Sequence, residues 1–225
     1  MKKYFLCLAF FASTAALNTK AAGGVLIDAG HSLKNPGSFS YSGHQESFYT
    51  AMMQKKVTEA LQRQGIKSRA IDQNKTLLER AQTSGDLLVS LHYDSVPSSL
   101  RKKHVGNTVF GYSVFVSAKN TDYKKSVSCA RSVAWGLQHA GEKPSLFHQK
   151  GLGGKDPRPL VDEKLGVHRF DDLILLKKSK QAAILVELGM WINKYDEKRL
   201  LSEKTTQMQA EGIALGIKQC LFQTP

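Results

Sequence analysis

Cysteine is scarce in this chain. Three occur in 225 residues, at Cys7, Cys129 and Cys220, and no two form a CxxC pair. That spacing excludes cysteine-rich metal motifs and dithiol redox motifs. Acidic residues are also few, 19 against 32 lysines and arginines, for a formal charge of +13. Such a balance expects an acidic partner: nucleic acid, anionic lipid or an anionic polymer. The lysines are scattered and not interleaved with aromatics, so nucleic-acid readout is not indicated. No HExxH stretch occurs, which rules out a zinc site carried on one helix. There is no internal repeat and no low-complexity linker. Beyond Leu17 no apolar run is long enough to cross a bilayer.

What is present begins with an apolar run, Tyr4 to Leu17, behind Met1-Lys2-Lys3 and ahead of the small residues of "NTKAAGG". This is the layout of a secretory signal peptide, cut near Ala21 or Ala22. Residues 1–22 are therefore expected to be removed, leaving 23–225 as one domain with no membrane span. The leader carries Lys2, Lys3 and Lys20 and no acid, so the charge falls from +13 to +10. In an oxidising compartment Cys129 and Cys220 either pair or stay as two buried thiols.

Strand and helix patterns alternate along the rest. Strands are expected at 24–29, 67–72, 86–93, 111–117, 172–177 and 182–188, and helices at 46–64, 75–84, 123–140 and 197–222. The fold class this implies is α/β, with a mostly parallel or mixed six-stranded sheet flanked by helices on both faces. "DLLVSLH" and "AAILVEL" are nearly continuous apolar runs, as strands buried on both sides should be. Residues 141–172, rich in Gly, Pro and charge, read as a long loop or lid within the domain.

Three strand candidates end on ionisable groups: "VLIDAGH" on His31, "LLVSLH" on His92, "AILVE" on Glu187. In open α/β sheets the carboxyl edge is where ligands bind. A fourth group comes from the first long helix. Its apolar stripe runs through Tyr49, Met53, Val57 and Ala60, and extended back three residues it reaches Glu46. An inward carboxylate there is costly unless something pairs with it, and a metal ion would do so. Two histidines and a glutamate are a catalytic zinc set, with the fourth position left to water. On this reading His31, Glu46 and His92 hold one Zn²⁺ and Glu187 is general base and acid. Spacing alone leaves open a plainer reading, with two core histidines and two carboxylates in surface ion pairs.

At this point the residues converge on a family. "VLIDAGHS", a glutamate fifteen residues after the histidine, "DLLVSLHYDS" and "ILVELGMWIN" together resemble the zinc-dependent N-acetylmuramoyl-L-alanine amidases. "RAQTSGDLLVSLH", led by Arg80, and "VHRFDDLILLKKSKQAAILVE" fit the same pattern. The resemblance implies a mixed six-stranded sheet and hydrolysis of the amide between muramic acid's lactyl group and the L-alanine of the stem peptide. Its zinc ligands fall on His31, Glu46 and His92, and its catalytic glutamate on Glu187. Peptidoglycan is then the expected partner, a protein activator a further one to look for, and the periplasm or cell wall the expected location. Other readings are a zinc exopeptidase on small peptides and a non-catalytic wall-binding protein. The chain departs from the family pattern at Ala29 (usually proline), Ser32 (usually glycine), "HYDS" (usually His-Ala-Asn) and "GMWIN" (usually Gly-Phe-Leu-Ser-Asn). None of these removes a ligand or the base; they bear on substrate preference.

Further residues are candidates to orient the ligands or to line the substrate rim. Asp28 either orients a histidine or caps its own turn. Arg80 forms either a buried supporting pair or a helix-surface pair. Asp94 reads as a solvated loop acid rather than a fourth ligand. His168 and His148, in or beside the long loop, are candidates to touch substrate. In some members of the family an inserted acidic side chain silences the metal, and Asp162 or Glu163 could do so here.

Overall fold

Apolar runs that lack alternation form the centre of the sheet. Val25–Ala29 (β1), Leu87–Asp94 (β3) and Ala183–Met190 (β7) are buried along almost their whole length. The computed structural model describes residues 23–97, 100, 108–151 and 157–222; the expected leader lies outside them. Ser68–Ile71 (β2) pairs with β1 and forms one edge. Ser113–Val116 (β4), Leu160–Asp162 (β5) and Val167–Arg169 (β6) continue beyond β7. The order is β2-β1-β3-β7-β4-β6-β5. β2, β1, β3 and β7 run parallel, β4 enters antiparallel to β7, and β6 is parallel to β4. The strands ending near His31, His92 and Glu187 are thus three parallel neighbours in the middle of the sheet.

Strand alternation sorts side chains onto two unequal faces. Val25, Ile27, Leu87, Val89, Leu91, Ile184 and Val186 point into the larger core. It is covered by Glu46–Arg63 (α1), Tyr123–His139 (α3) and Glu203–Phe222 (α6). Leu26, Leu88, Phe115, Ala183 and Leu185 point the other way. They lie under two helices of five residues each, Leu77–Ala81 (α2) and Ile174–Lys178 (α4). By the same alternation Asp28, Ser90, His92 and Glu187 belong to this thinly covered face.

The thick layer is drawn together at one crossing. A Cβ on Gly136 of α3 would overlap the carbonyl oxygen of Gly212 on α6, and one on Gly212 would lie 2.6 Å from the carbonyl oxygen of Gly136. Only glycine lets the two backbones approach so closely. Cys129 and Cys220 are disulfide-bonded across the same pair of helices, closing a separation of 91 residues. This settles the choice that the sequence left open.

Three expectations are corrected. Residues 172–177 are not a strand but α4, because Leu175 and Leu176 pack together beneath α2 while Ile174 stays exposed. A short apolar run carries no period that separates the two states. The last helix is two, Lys194–Leu200 (α5) and α6; the Ser202 hydroxyl accepts from the Thr205 amide and restarts the chain. Residues 141–172 are not one loop. They contain a 3-10 turn at Phe147–Lys150 and the β5–β6 hairpin, which raises the strand count to seven among the described residues. Asp162 in that hairpin is paired with Arg131 of α3, on the opposite face from His92 and Glu187, and so is not placed to silence a metal there; Glu163 is exposed.

Candidate metal centre

His31 lies two residues past β1 with φ +65°, the one positive φ outside glycine among the described residues. Such a backbone persists only where its surroundings impose it, and here a buried ion pair does. Asp28 and Arg80 are 0% and 3% exposed. Arg80 Nε and Nη2 each donate to one Asp28 oxygen at 2.7 Å, and the Ser90 hydroxyl donates to Asp28 at 2.6 Å. Arg80 Nη2 also donates to the Ala29 carbonyl at 2.6 Å, with Nη1 3.5 Å from the His31 carbonyl. Asp28 therefore neither touches a histidine ring nor caps its own turn. It fixes Arg80, which fixes the backbone that presents His31.

Glu46 opens α1 and is 2% exposed. Its Oε1 lies 3.2 Å from His31 Nε2 and 3.1 Å from His92 Nδ1, and accepts from the Tyr93 amide at 3.1 Å. Its Oε2 accepts from the amide and hydroxyl of Ser38, both at 2.8 Å. Ser38 Oγ accepts in turn from Trp191 Nε1 at 2.9 Å, and Trp191 stacks on Tyr93 at 5.0 Å. Burial alone raises the Glu46 pKa. Hydrogen bonds to the His31 and His92 rings outweigh it and hold the carboxyl well below its usual range. Donor atoms of the three residues lie within 4.8 Å of one another. Two imidazoles and an ionised, buried carboxylate at that spacing suit a divalent transition metal.

Glycines make room for these rings. A Cβ on Gly30 would lie 2.6 Å from His92 Nδ1 and Nε2. On Gly37, with φ +80°, it would lie 2.6 Å from the His31 ring and 2.7 Å from Glu46 Oε2. Gly37→Ala should weaken metal binding by about 10–100-fold when read by competition with a chromophoric chelator. Gly65→Ala is the control. Its φ is +73° and a Cβ there meets nothing within 4 Å, so it should cost about 1–3 kcal/mol of stability and leave affinity unchanged.

Glu187 pairs in register with His92 on one side and with Ser113 on the other. It stands next to the donor cluster without belonging to it. A cavity of about 380 Å³ opens on this face, lined by His31, His92, Arg80, Lys75, Leu77 and Ile174 among others.

The remaining candidates lie elsewhere than expected. Asp94 is neither solvated nor a ligand. It is 6% exposed and its carboxylate pairs with His148 Nε2, while His148 Nδ1 faces Arg158 Nη1 at 2.8 Å. His168 is fully buried, its ring nitrogens 3.1 and 3.3 Å from the Ser145 and Arg158 carbonyls. It braces the β5–β6 region and is not on a substrate rim. Sequence reasoning passed over Gly30, Gly37, Ser38 and Arg158. For the glycines a signal existed: both sit within the turn that carries His31. Ser38 and Arg158 gave none, since only the fold shows what they touch.

Fold and donor set together define a class: α/β proteins with a candidate divalent-metal centre at the carboxyl ends of parallel strands. The family is more specific. The profile of Amidase_3, N-acetylmuramoyl-L-alanine amidase, matches residues 25–219, and this chain belongs to that family. It is 24% identical over 198 residues to the probable cell wall amidase LytH of Staphylococcus aureus, covering 86% of this chain and 57% of LytH; the chain thus spans little more than half of that relative. Its fold is similar to that of Ami1, an N-acetylmuramyl-L-alanine amidase from Mycobacterium smegmatis, with a TM-score of 0.70, 21% identity, and coverage of 89% of this chain and 97% of Ami1. It is similar also to the CwlD amidase of Clostridioides difficile, solved in complex with the GerS lipoprotein, with a TM-score of 0.66, 18% identity, and coverage of 88% and 97%.

Proposed function

We propose that this protein is an exported zinc hydrolase that cleaves the amide between N-acetylmuramic acid and the L-alanine of the peptidoglycan stem peptide. The observation that carries this reading is Glu46, buried and ionised between His31 and His92, with Glu187 one register pair from His92. A zinc ion held by His31, Glu46 and His92 would acidify a water and polarise the scissile carbonyl. Glu187 would serve as general base and acid, taking a proton from the attacking water and delivering it to the leaving alanine nitrogen. Ser38 and the Tyr93 amide hold the Glu46 oxygens so that the carboxylate does not turn. The cavity beside His31 and His92 admits the substrate from the thinly covered face.

The basic charge suits an anionic wall polymer. The Cys129–Cys220 disulfide favours an oxidising compartment, in keeping with periplasmic or cell-wall action after removal of residues 1–22. Among the described residues no helix is long and apolar enough to cross a membrane. A protein activator is a further partner that this reading allows.

The test is digestion of purified sacculi with the zinc-loaded chain. Release of stem peptides with a free L-alanine amino group, abolished by a chelator and restored by zinc, is the expected result. Trimming of peptides from their free ends would favour an exopeptidase, and binding without release a wall-binding protein.

A further inference from the structure

Arg158 is held in place on four sides. Its guanidinium lies over the Phe170 ring at 4.0 Å and the Phe115 ring at 5.2 Å. Nη1 donates to His148 Nδ1 at 2.8 Å. Its amide donates to the His148 carbonyl at 3.0 Å, and its carbonyl faces His168 Nδ1 at 3.3 Å. With Nδ1 accepting, His148 carries its hydrogen on Nε2 and donates it to Asp94. Asp94 is thus engaged by His148, and among the described residues no carboxylate closes on Arg158 itself. Building so rigid a mount for a half-buried cation costs entropy and desolvation. It is understandable if the remaining guanidinium N–H groups have a ligand to meet.

The register places Arg158 relative to the candidate metal centre. Phe115 is two residues along β4 from Ser113, which pairs with Glu187, so Phe115 shares the face of Glu187. Across that face stand His92 on β3 and Glu187 on β7, then Phe115 on β4, which pairs with Leu185 and so sits two residues back from Glu187, with Arg158 above it. Adjacent strands are about 4.8 Å apart and a strand rises about 3.3 Å per residue, so Arg158 stands roughly 12 Å from His92, beyond Glu187 and set back along the strands. Asp94 and Glu187 are the two carboxylates whose charges act on it, against burial, which lowers its pKa. On the amidase reading Glu187 would protonate the leaving nitrogen, and the leaving peptide would then extend past Glu187 toward Arg158. One residue spans at most about 3.6 Å, which brings a group on the residue after the alanine within reach.

We propose that Arg158 is a specificity residue that receives a free carboxylate on the leaving peptide, one residue beyond the alanine. This rests on the amidase reading above and names which stem peptides it favours. In a stem whose second residue is a γ-linked glutamate, the group is that residue's α-carboxylate; an amidated stem carries a carboxamide there instead. Arg can meet a carboxylate with two parallel N–H bonds, and a neutral amide cannot answer both.

The experiment compares two synthetic muropeptides that differ only in carboxylate or carboxamide at that position, cleaved by the zinc-loaded full chain. Wild type should favour the carboxylate form by about 10–100-fold in kcat/KM. Arg158→Gln should lose that factor on the carboxylate substrate, mainly through KM, and stay within about twofold on the carboxamide. Arg158→Lys should keep part of the preference. An unchanged Tm in each variant shows that the fold has survived. Equal loss on both substrates, or a shifted pH profile with both, would mean that Arg158 acts on Glu187 or on the fold, and overturns the proposal. No loss on either does the same. If zinc-loaded wild type cleaves neither, the amidase reading itself falls, and this inference with it.

Discussion

Glu187→Ala should keep zinc near one per chain while hydrolysis of sacculi falls by about 10²–10⁴-fold. The two halves of that result come from separate features of the site. Retention follows from Glu187 standing outside the cluster of donor atoms formed by His31, Glu46 and His92. The loss follows from the proposed role of Glu187 as general base and acid, for which its register position beside His92 suits it. Metal analysis and turnover on the same preparation check both. If zinc is lost together with activity, base and ligand have been confused. Glu187→Gln sharpens the test, since it keeps shape and removes only the capacity to take a proton.

Arg80→Ala should cost about 3–5 kcal/mol of stability, measured by urea denaturation at neutral pH. The variant leaves Asp28 fully buried with the Ser90 hydroxyl as its remaining side-chain donor. Removing one partner of a buried pair exposes the desolvation penalty of the other. Arg80→Lys should rescue little, because one ammonium cannot bond both Asp28 oxygens and the Ala29 carbonyl in the fork geometry seen here. Replacing both partners, Asp28→Leu with Arg80→Met, should restore much of the stability. It should not restore metal affinity. The backbone of Ala29 and His31 would no longer be clamped, and the left-handed conformation at His31 would relax. A double variant as stable as wild type and equally tight for zinc would refute the link from Asp28 through Arg80 to His31.

The parts of this site that could be read from sequence are those governed by periodicity. The stripe through Met53, Val57 and Ala60 runs back to Glu46, and that carboxylate is buried as the helical repeat requires. Strand faces are equally legible, because alternation within β3 and β7 puts His92 and Glu187 on the same face as Ser90 and Leu185. Features that depend on contact between distant segments were not legible. Asp28 reaches Arg80 across 52 positions and Trp191 reaches Ser38 across 153, and nothing local distinguishes these partners from others. The misassigned α4 shows the same limit in the fold. Ile174, Leu175 and Leu176 fit either state until the neighbouring α2 supplies a surface to pack on.

Covering one face of the sheet with three long helices and the other with two short ones separates two kinds of tolerance. The heavily clad side, with its glycine contact and disulfide, carries most of the folding stability and leaves little freedom to vary. The lightly clad side carries His92 and Glu187 on strands that the other side already holds firm, while Glu46 reaches the same edge from the start of α1. Hairpins, turns and rim residues there can lengthen, shorten or change charge at small thermodynamic expense. Changes on the lightly clad side should therefore alter what the site accepts at little cost to the fold that holds it.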